Sequence, residues 1–456
     1  MKFEQGIEFA KKMDAQDPLK SLRARFDLPR DKNENEAVYF CGNSLGPKPK
    51  ALDASVKEQF DGWAKLGVEG HWTPPCDWLP IHETVTKQAA TIVGAKPSEV
   101  VVMGTLTANL HHLMLSFYNP TPSRYKILYE SNAFPSDRYA IASQIDMMAK
   151  KLAPFTEKGK DIFTADKAMV EIQPRAGEVT LRTEDIEKIL DEQGDSIALI
   201  LIGGNNFYTG QKFDMARLTK KGHEKGCTVG FDLAHSVGNV ELKLHDWDVD
   251  FACWCPYKYL NSGPGGIGAI YINERHHNNP ELPRLMGWWG NNPKTRFEMR
   301  HEVDAFQTAE AWQLSNPPVF SLIPVRVSLD IFMEAGIENI VAKSKKLTGY
   351  MEFLLDSLDT DKFKIITPRD PEQRGAQLSI VVKQDGKKIF DALCEDGVIG
   401  DWRNPDCIRL APAPLFNSYQ DVHKCVEIFA KELGLKLGAA PEAQKKTSQP
   451  LSNLAP

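Results

Sequence analysis

Short runs of consecutive apolar residues, many of them β-branched, recur along the first part of the chain and are separated by segments with helical periodicity. The clearest runs predict β-strands at residues 100–103, 125–129, 197–202, 228–231, 250–253 and 268–272. Uninterrupted apolar strands are typical of a sheet that helices cover on both faces. The pattern therefore predicts an α/β fold built on a large, mostly parallel sheet.

The last part of the chain has a different pattern, with fewer and more widely spaced elements. A helical stretch precedes a strand, a helix and a second strand, predicted at residues 324–355, 377–382, 388–396 and 407–411. This order predicts a smaller α+β domain. We place the boundaries at 1–60 (a segment joining the small domain), 61–325 (the large domain) and 326–437 (the small domain).

Two further segments stand apart from this periodic pattern. Residues 154–167 are charged and weakly periodic, which predicts a surface excursion. Residues 438–456 are rich in Ala, Lys, Ser, Gln and Pro and cannot bury enough apolar surface to fold. We predict that they form a disordered tail.

Composition narrows the class of protein. The 456 residues carry a net charge of -6, with 42% hydrophobic and 25% charged residues, so no basic surface for nucleic acid is indicated. No apolar run is long enough for a membrane span, and the N-terminus lacks a signal core. The eight cysteines lack the CxxC spacing of a zinc site. We expect a cytoplasmic protein with reduced thiols and no metal.

Two charged residues follow two of the predicted strands. Asp232 ends the run at 228–231, and Lys258 follows the run at 250–253 between two tyrosines. Ligands of α/β sheets bind beyond the carboxyl ends of the strands. A lysine amine there can form a Schiff base with pyridoxal phosphate (PLP), and a carboxylate can hold the pyridinium proton. Read singly, such a lysine is usually a solvated charge and such an aspartate a helix cap.

Further residues fit the same cofactor. Thr107 lies where a helix begins after the strand at 100–103, so amides and a hydroxyl are available for a phosphate. Tyr257 offers a phenol, and Phe134 could stack on the cofactor ring, although a loop phenylalanine is more often simple packing. Arg409 lies in an apolar strand and requires an anion, either a substrate carboxylate or a structural partner.

The glycine-rich segment at residues 263–268 fits the letters GxGxxG but precedes a strand instead of linking a strand to a helix. That context is wrong for dinucleotide binding, and we reject an NAD-dependent oxidoreductase. Flexible backbone beside the lysine loop is the better interpretation.

Taken together, these segments resemble the kynureninase family. The matching motifs occur in order at residues 42–46, 106–111, 133–137, 207–211, 230–240, 245–247, 255–261, 287–290, 315–318 and 408–412. Each motif alone is weak, but their conjunction covers nearly the whole chain. The resemblance implies PLP-dependent fold type I, with a seven-stranded mostly parallel sheet. It also implies a homodimer with the active site at the subunit interface.

The resemblance also implies roles for individual residues. The catalytic group would be Lys258, Tyr257, Asp232 and, less firmly, Tyr208. The cofactor would contact Leu106, Thr107, Phe134, Pro135, Ser136, Asp137, Asp232, His235, Tyr257, Lys258, Trp288 (from the partner subunit) and Asn316. The substrate would contact Arg409 through its carboxylate and His71, Ser44 and Asn316 through its aromatic ring.

The implied activity is hydrolysis of the Cβ–Cγ bond of L-kynurenine or 3-hydroxy-L-kynurenine, in tryptophan catabolism and NAD biosynthesis. His71 with Asn316 is similar to the eukaryotic form of the family, which favours the hydroxylated substrate. One alternative is another fold type I enzyme such as a cysteine desulfurase, which needs a reactive cysteine on a mobile loop; Cys407 and Cys76 fit poorly. A second is a non-catalytic relative acting as a binding protein.

Overall fold

The computed structural model describes residues 2–152 and 163–438. Its α-helices are α1 (Ile7–Ala15), α2 (Leu52–Leu66), α3 (Glu83–Val93), α4 (Leu106–Phe117), α5 (Pro135–Leu152), α6 (Ala165–Ala168), α7 (Thr183–Gln193), α8 (Met215–Glu224), α9 (Val319–Ala335), α10 (Ile337–Asp356), α11 (Gly386–Glu395) and α12 (Tyr419–Glu432). Its strands are β1 (Phe26–Asp27), β2 (Val38–Tyr39), β3 (Lys48–Pro49), β4 (Val100–Val102), β5 (Lys126–Glu130), β6 (Met169–Ile172), β7 (Ile197–Gly203), β8 (Thr228–Asp232), β9 (Phe251–Trp254), β10 (Ala269–Ile272), β11 (Phe363–Ile365), β12 (Leu378–Val382), β13 (Val398–Ile399), β14 (Asp401–Arg403) and β15 (Cys407–Leu410).

A seven-stranded sheet forms the centre of the fold, in the order β4-β10-β9-β8-β7-β5-β6. Strands β6, β5, β7, β8 and β9 are parallel to one another, and only β10 runs antiparallel, against both β4 and β9. The predicted α/β class and mostly parallel seven-stranded sheet are therefore confirmed.

The two faces of this sheet pack into two different cores, which explains the uninterrupted apolar runs. In β10, Ala269 and Tyr271 point into one core, whereas Ile270 and Ile272 point into the other. Side chains alternate between the faces of a strand, so a strand covered on both faces must be apolar at every position.

A second, four-stranded sheet has the order β11-β12-β15-β14 and is antiparallel throughout. Its core also takes in N-terminal residues, including Phe9, Val38 and Phe40. Strand β2 pairs in parallel with β13. Other N-terminal residues, among them Leu22, Phe26 and Tyr39, pack into a core of the large sheet. The assignment of the N-terminal segment to the small domain therefore stays a prediction.

The predicted domain boundary at residues 325 and 326 falls inside α9, so the exact division stays a prediction. The helical stretch predicted at 324–355 is two helices, α9 and α10, separated by Gly336 at a φ of 74°. A positive φ interrupts a right-handed helix and is readily adopted by glycine.

The predicted tail and most of the predicted surface excursion lie outside the described residues, at 439–456 and 153–162. Of the excursion, the structure describes α6, which leads into β6 at the edge of the large sheet. None of the described helices combines the length and the apolar character needed to cross a membrane.

The two sheets meet at the backbone of Phe207, which follows β7. Its carbonyl accepts hydrogen bonds from Gln377 Nε2 at 3.0 Å and from Arg409 Nη1 at 2.6 Å. Gln377 directly precedes β12 and Arg409 lies in β15. The carboxyl edge of the large sheet is thereby joined to side chains of the small sheet.

Candidate active site

Polar side chains gather where the parallel strands of the large sheet end. Glu130 ends β5, Gly203 ends β7, Asp232 ends β8, and Lys258 follows β9 by four residues. These four residues line one cavity of about 430 Å³. The ends of these strands therefore form a single site at the carboxyl edge of the sheet.

Most of the residues predicted to form the site line this cavity. They are Ser44, Leu106, Thr107, Phe134, Ser136, Asp137, Asp232, His235, Tyr257, Lys258 and Arg409. They come from distant parts of the sequence and from both sheets, so the fold brings them together.

Lys258 lies at the centre of the site. Its Nζ atom is 3.1 Å from His235 Nε2 and 5.8 Å from the centroid of the Phe134 ring. Burial, reinforced by the charges of Lys258, Arg409 and Arg403, holds the pKa of His235 well below its usual value. The imidazole is therefore neutral at physiological pH and can accept a hydrogen bond from the lysine ammonium.

Three carboxyl groups lie beside one another on the sheet side of the cavity. Asp232 accepts a hydrogen bond from the Ala234 N–H at 2.8 Å, and a hydrogen bond joins its carboxyl group to that of Asp137. Burial, together with the negative charge of Asp232 and then of Glu130, raises the pKa of Asp137 well above its usual value. Burial also raises the pKa of Asp232, but the charge of Lys258 and the hydrogen bond from Asp137 oppose this rise. Asp137 therefore keeps the shared proton and donates a hydrogen bond to the Asp232 carboxylate.

Glu130 is the third of these carboxyl groups, and both its oxygens lie 3.1 Å from the Gly203 N–H. Burial raises its pKa to about 7. Its side chain is therefore partly protonated at neutral pH, unlike an exposed glutamate.

Tyr257 lies directly before the lysine. Burial and a hydrogen bond with Cys255 raise the pKa of its phenol, which is protonated at neutral pH and can donate a proton or a hydrogen bond. The backbone carbonyl of Tyr257 accepts the Gly46 N–H at 2.9 Å. A Cβ atom at Gly46 would lie 2.5 Å from the Lys258 carbonyl, so only glycine allows this loop to pack on the lysine segment.

The opposite wall contains the N-terminus of α4, a helix of 12 residues. Leu106 and Thr107 form its first turn, and the preceding Thr105 makes no side-chain hydrogen bond that caps it. Free N–H groups at a helix N-terminus attract anions. Asn205 adds a further donor, because its Nδ2 atom is buried and lacks a partner among the described residues.

Arg409 reaches the cavity from the small sheet and is 1% exposed. One of its terminal nitrogens donates to the Phe207 carbonyl, and the other pairs with Asp401. A second arginine, Arg403, also lines the cavity and donates to Asp401 at 3.0 Å.

Five predicted site residues do not line the cavity. Tyr208 contacts Cys407 with its hydroxyl, and burial raises its pKa to about 12. Its hydroxyl is thus directed at Cys407 and does not line the cavity, and its catalytic role stays a prediction. Pro135 is exposed at the start of α5, where its fixed φ suits the first helical turn, and it does not contact the cavity.

Trp288, Asn316 and His71 also lie away from the cavity within one chain. Trp288 is 43% exposed and donates its indole N–H to the Arg296 carbonyl at 3.1 Å. Asn316 lines a second cavity, which shares Thr105 with the first. His71 lies in the 3-10 helix Gly67–His71 and bonds the Val68 carbonyl at 3.0 Å.

The cavity also contains residues that the sequence interpretation missed. Glu130, Asn205, Phe207 and Arg403 all line it. Glu130 could have been found by the same strand-end argument that selected Asp232. Arg403 precedes Arg409 by six residues with a turn between them, and no periodic signal showed that both reach one cavity.

Solved structures with the same architecture include a cysteine desulfurase and a C-DES mutant that carries a PLP cofactor. A cysteine desulfurase from Thermococcus onnurineus has a TM-score of 0.70 at 17% identity and covers 91% of this chain and 98% of its own. A C-DES mutant with glycine linked to its PLP cofactor has a TM-score of 0.70 at 13% identity and covers 89% of this chain and 98% of its own. At these identities the likeness shows the fold alone, which is fold type I of the PLP-dependent enzymes.

Sequence relatives define the family more narrowly. The family model described as the kynureninase C-terminal domain matches residues 340–429. Kynureninase of Koribacter versatilis is 48% identical over 94% of this chain and 99% of its own length. Kynureninase of Nematostella vectensis is 46% identical over 92% of each chain. The chain belongs to the kynureninase family.

Proposed function

We propose that this chain is a PLP-dependent hydrolase that cleaves the Cβ–Cγ bond of L-kynurenine and 3-hydroxy-L-kynurenine. Water adds across that bond, and the products are anthranilate or 3-hydroxyanthranilate and L-alanine. The observation that carries this proposal is Lys258, held in a cavity with Asp232 at one side and Arg409 at another, in a chain of the kynureninase family.

The residues present fit PLP. The uncapped N-terminus of α4, with the Thr107 and Ser136 hydroxyls, would hold the phosphate. Asp232 would face the pyridine nitrogen, and the Phe134 ring would stack on the cofactor. Asn205 Nδ2, buried without a partner among the described residues, is a donor that a polar group of the cofactor would satisfy.

When bound, PLP withdraws electrons from the substrate and makes the hydrogens at its Cα and Cβ acidic. The amine of Lys258 removes the proton at Cα and returns it at a later step. Neutral His235, 3.1 Å away, accepts a hydrogen bond from this amine and fixes its position. Asp232 would hold a proton on the ring nitrogen, and Asp137, which keeps the proton shared by the two carboxyl groups, donates a hydrogen bond to Asp232.

The remaining side chains control which bond breaks. Arg409 binds the substrate carboxylate, which sets the direction in which the aromatic ketone points. Tyr257 is protonated and can give a proton to the ketone oxygen, or to Cβ once the Cβ–Cγ bond has broken. Ser44 lines the same cavity and would border the aromatic ring.

The assembly proposed with this function is a homodimer in which the partner completes each site. Large apolar side chains are exposed on the single chain, among them Phe60, Trp63, Trp72, Leu285, Met286, Trp288, Phe297, Met299, Leu314 and Phe320. Some of them contact one another, since Phe60 and Trp63 lie against Phe320 and Trp288 lies against Phe297. Clustered exposed apolar side chains support protein–protein contact. Trp288, Asn316 and His71, absent from their own chain's cavity, would then contact cofactor or substrate across the interface.

A cytoplasmic location is part of the same proposal. It is supported by the eight cysteines, all of which are free thiols in the structure.

A cysteine desulfurase activity has no support at the site. None of the described residues that line the cavity is a cysteine. Burial raises the pKa of the Cys76 and Cys407 thiols, that of Cys407 to about 12, so neither is a reactive thiolate.

The test is product formation by the purified holoprotein. Supplied with L-kynurenine it should release anthranilate, and with 3-hydroxy-L-kynurenine it should release 3-hydroxyanthranilate, each in equal amount with L-alanine. Borohydride should bleach its visible absorption and stop turnover. With L-cysteine it should release no sulfide. A PLP-loaded protein that leaves both kynurenines intact would overturn the proposal.

A further inference from the structure

At the end of the cavity where Arg409 lies, one arginine alone would not balance the charge of a bound substrate carboxylate. Arg409 is buried, and it already forms an ion pair with the carboxylate of Asp401, whose side chain is 11% exposed. This pair has no net charge. Were Arg409 the only cation at this end, the substrate carboxylate would have to enter without a counter-charge, which is costly in a buried site.

Arg403 supplies the missing charge. It lines the same cavity and donates to the same oxygen of Asp401 at 3.0 Å. Strands β14 and β15 place Asp401 directly opposite Arg409, so Arg403 lies two residues farther along β14. Two guanidinium groups and one carboxylate leave one net positive charge, which matches one substrate carboxylate.

The two arginines also retain free donors. In the part of the chain that the structure describes, the Nε atoms of Arg403 and Arg409 are both buried and lack a hydrogen-bond partner. Both guanidinium carbons lie 5.9 Å from the centroid of the Phe207 ring. A buried N–H without a partner costs stability, so two such groups on one cavity wall indicate a site that an anion completes.

We propose that Arg403 is a second substrate-binding residue, which with Arg409 and the bridging Asp401 forms a two-arginine site for the α-carboxylate of the amino-acid substrate. This inference rests on the proposed function, because that function supplies the carboxylate. A purely structural role for Arg403 is less well supported, since Asp401 already has Arg409 as a partner.

The experiment compares holoenzyme of wild type, Arg403→Gln and the matched control Arg369→Gln. Arg369 is exposed and pairs with Glu352 and Asp356 away from the cavity. The probes are L-alanine, which carries the carboxylate, and 2-aminoacetophenone, a neutral aromatic ketone without it. Alanine binding is followed at equilibrium by the change in visible absorption, and the ketone by inhibition of kynurenine turnover.

In Arg403→Gln, the Kd of alanine and the KM of kynurenine should rise by about tenfold or more. The inhibition constant of 2-aminoacetophenone and the PLP content should stay within about twofold of wild type, while kcat should fall less than kcat/KM. Arg369→Gln should match wild type throughout. An unchanged alanine Kd, or equal weakening of both probes, would overturn the inference.

Two further variants separate charge from structure. Arg403→Gln combined with Asp401→Asn again leaves one net positive charge and should recover alanine binding relative to Arg403→Gln. Arg403→Lys, which keeps the charge, should lose less affinity than Arg403→Gln, and it serves if the glutamine variant folds poorly. A loss in Arg403→Lys as large as in Arg403→Gln, or no recovery in the double variant, would exclude a role through charge.

The proposed function and the role of Arg403 can be tested separately. If wild-type holoprotein binds alanine but does not cleave kynurenine, the proposed function is wrong and the comparison of alanine affinities still tests Arg403. If wild type cleaves kynurenine and Arg403→Gln does so with an unchanged KM, only the role of Arg403 is wrong.

Discussion

The Nζ atom of Lys258 lies 3.1 Å from Nε2 of His235, and the two residues follow neighbouring parallel strands, β9 and β8. A neutral imidazole in this position orients the amine by accepting a hydrogen bond and adds no positive charge beside it. The contact fixes the amine at the point where the sheet, the α4 terminus and the small sheet meet around one cavity.

Replacing the lysine should abolish the chemistry. In Lys258→Ala, turnover should fall by several orders of magnitude, because the amine proposed to bond the cofactor and to move the Cα proton is gone. The visible absorption that borohydride bleaches should also disappear. The exposed Lys57→Ala, on α2, is the control and should keep both properties. Near-normal turnover in Lys258→Ala would remove this residue from the chemistry.

Removing the Asp232 carboxylate should weaken cofactor binding. In Asp232→Ala, the ring nitrogen would lose its counter-charge, and the Kd for PLP should rise by about tenfold or more. Titration of the cofactor-free protein with PLP measures this directly. Asp232→Glu, which keeps the charge, should retain more affinity. Identical affinities for wild type and Asp232→Ala would contradict the assignment.

Loss of Arg409 should act mainly on substrate binding. Arg409→Leu removes a buried ion pair with the substrate, worth roughly 2–5 kcal/mol, and the KM for kynurenine should rise accordingly. Part of the effect will come from Asp401, which would be left without its nearest cation. Steady-state kinetics with kynurenine check this, and an unaltered KM would place the carboxylate elsewhere.

Glu130 should make stability depend on pH. Burial raises the pKa of this carboxyl to about 7, so the folded state binds its proton more tightly than the unfolded state. The stability from this group is present below the unfolded pKa and is lost as pH rises through about 7. The loss should be about 3 kcal/mol.

Urea unfolding at pH 5 and pH 8 measures this dependence. Glu130→Gln is neutral at both values, so wild type should lose more stability than this variant between them. Glu58→Gln, at an exposed position, should behave like wild type. An equal pH dependence in wild type and Glu130→Gln would show that Glu130 does not titrate in this window.

Substrate preference should depend on two residues outside their own chain's cavity. If His71 and Asn316 border the aromatic ring across a dimer interface, His71→Phe and Asn316→Ala should change the ratio of kcat/KM for 3-hydroxykynurenine and kynurenine. Kinetics with both substrates measure the ratio. A constant ratio in both variants would exclude them as contacts of the ring.

The sequence predicted the large sheet well because its strands are buried on both faces and are therefore apolar at every position. It also placed Asp232 and Lys258 correctly at the carboxyl edge, since strand ends can be read from the same pattern. Glu130 ends a strand as Asp232 does, but it was missed because a single glutamate after an apolar run is usually a solvated charge. Only the structure shows that it is buried at 4% exposure.

Other features depend on tertiary contacts that periodicity does not encode. Arg403 and Arg409 approach each other because β14 and β15 pair, and Asp401 joins them. Tyr208 belongs to a motif of the family, yet its side chain turns towards Cys407. Its neighbour Phe207 does line the cavity. The sequence could not show that the side chains of these two adjacent residues point in different directions.

The meeting of the two sheets at Phe207 has a mechanical consequence. Leu260, two residues after Lys258, packs into one hydrophobic core, and Ile408 and Leu410, on either side of Arg409, pack into another. An amino acid bound to both residues would then connect the two domains. Through Arg409 it would resist rotation of the small domain relative to the large one. The bound substrate would itself help to hold the domains in place while the bond is cut.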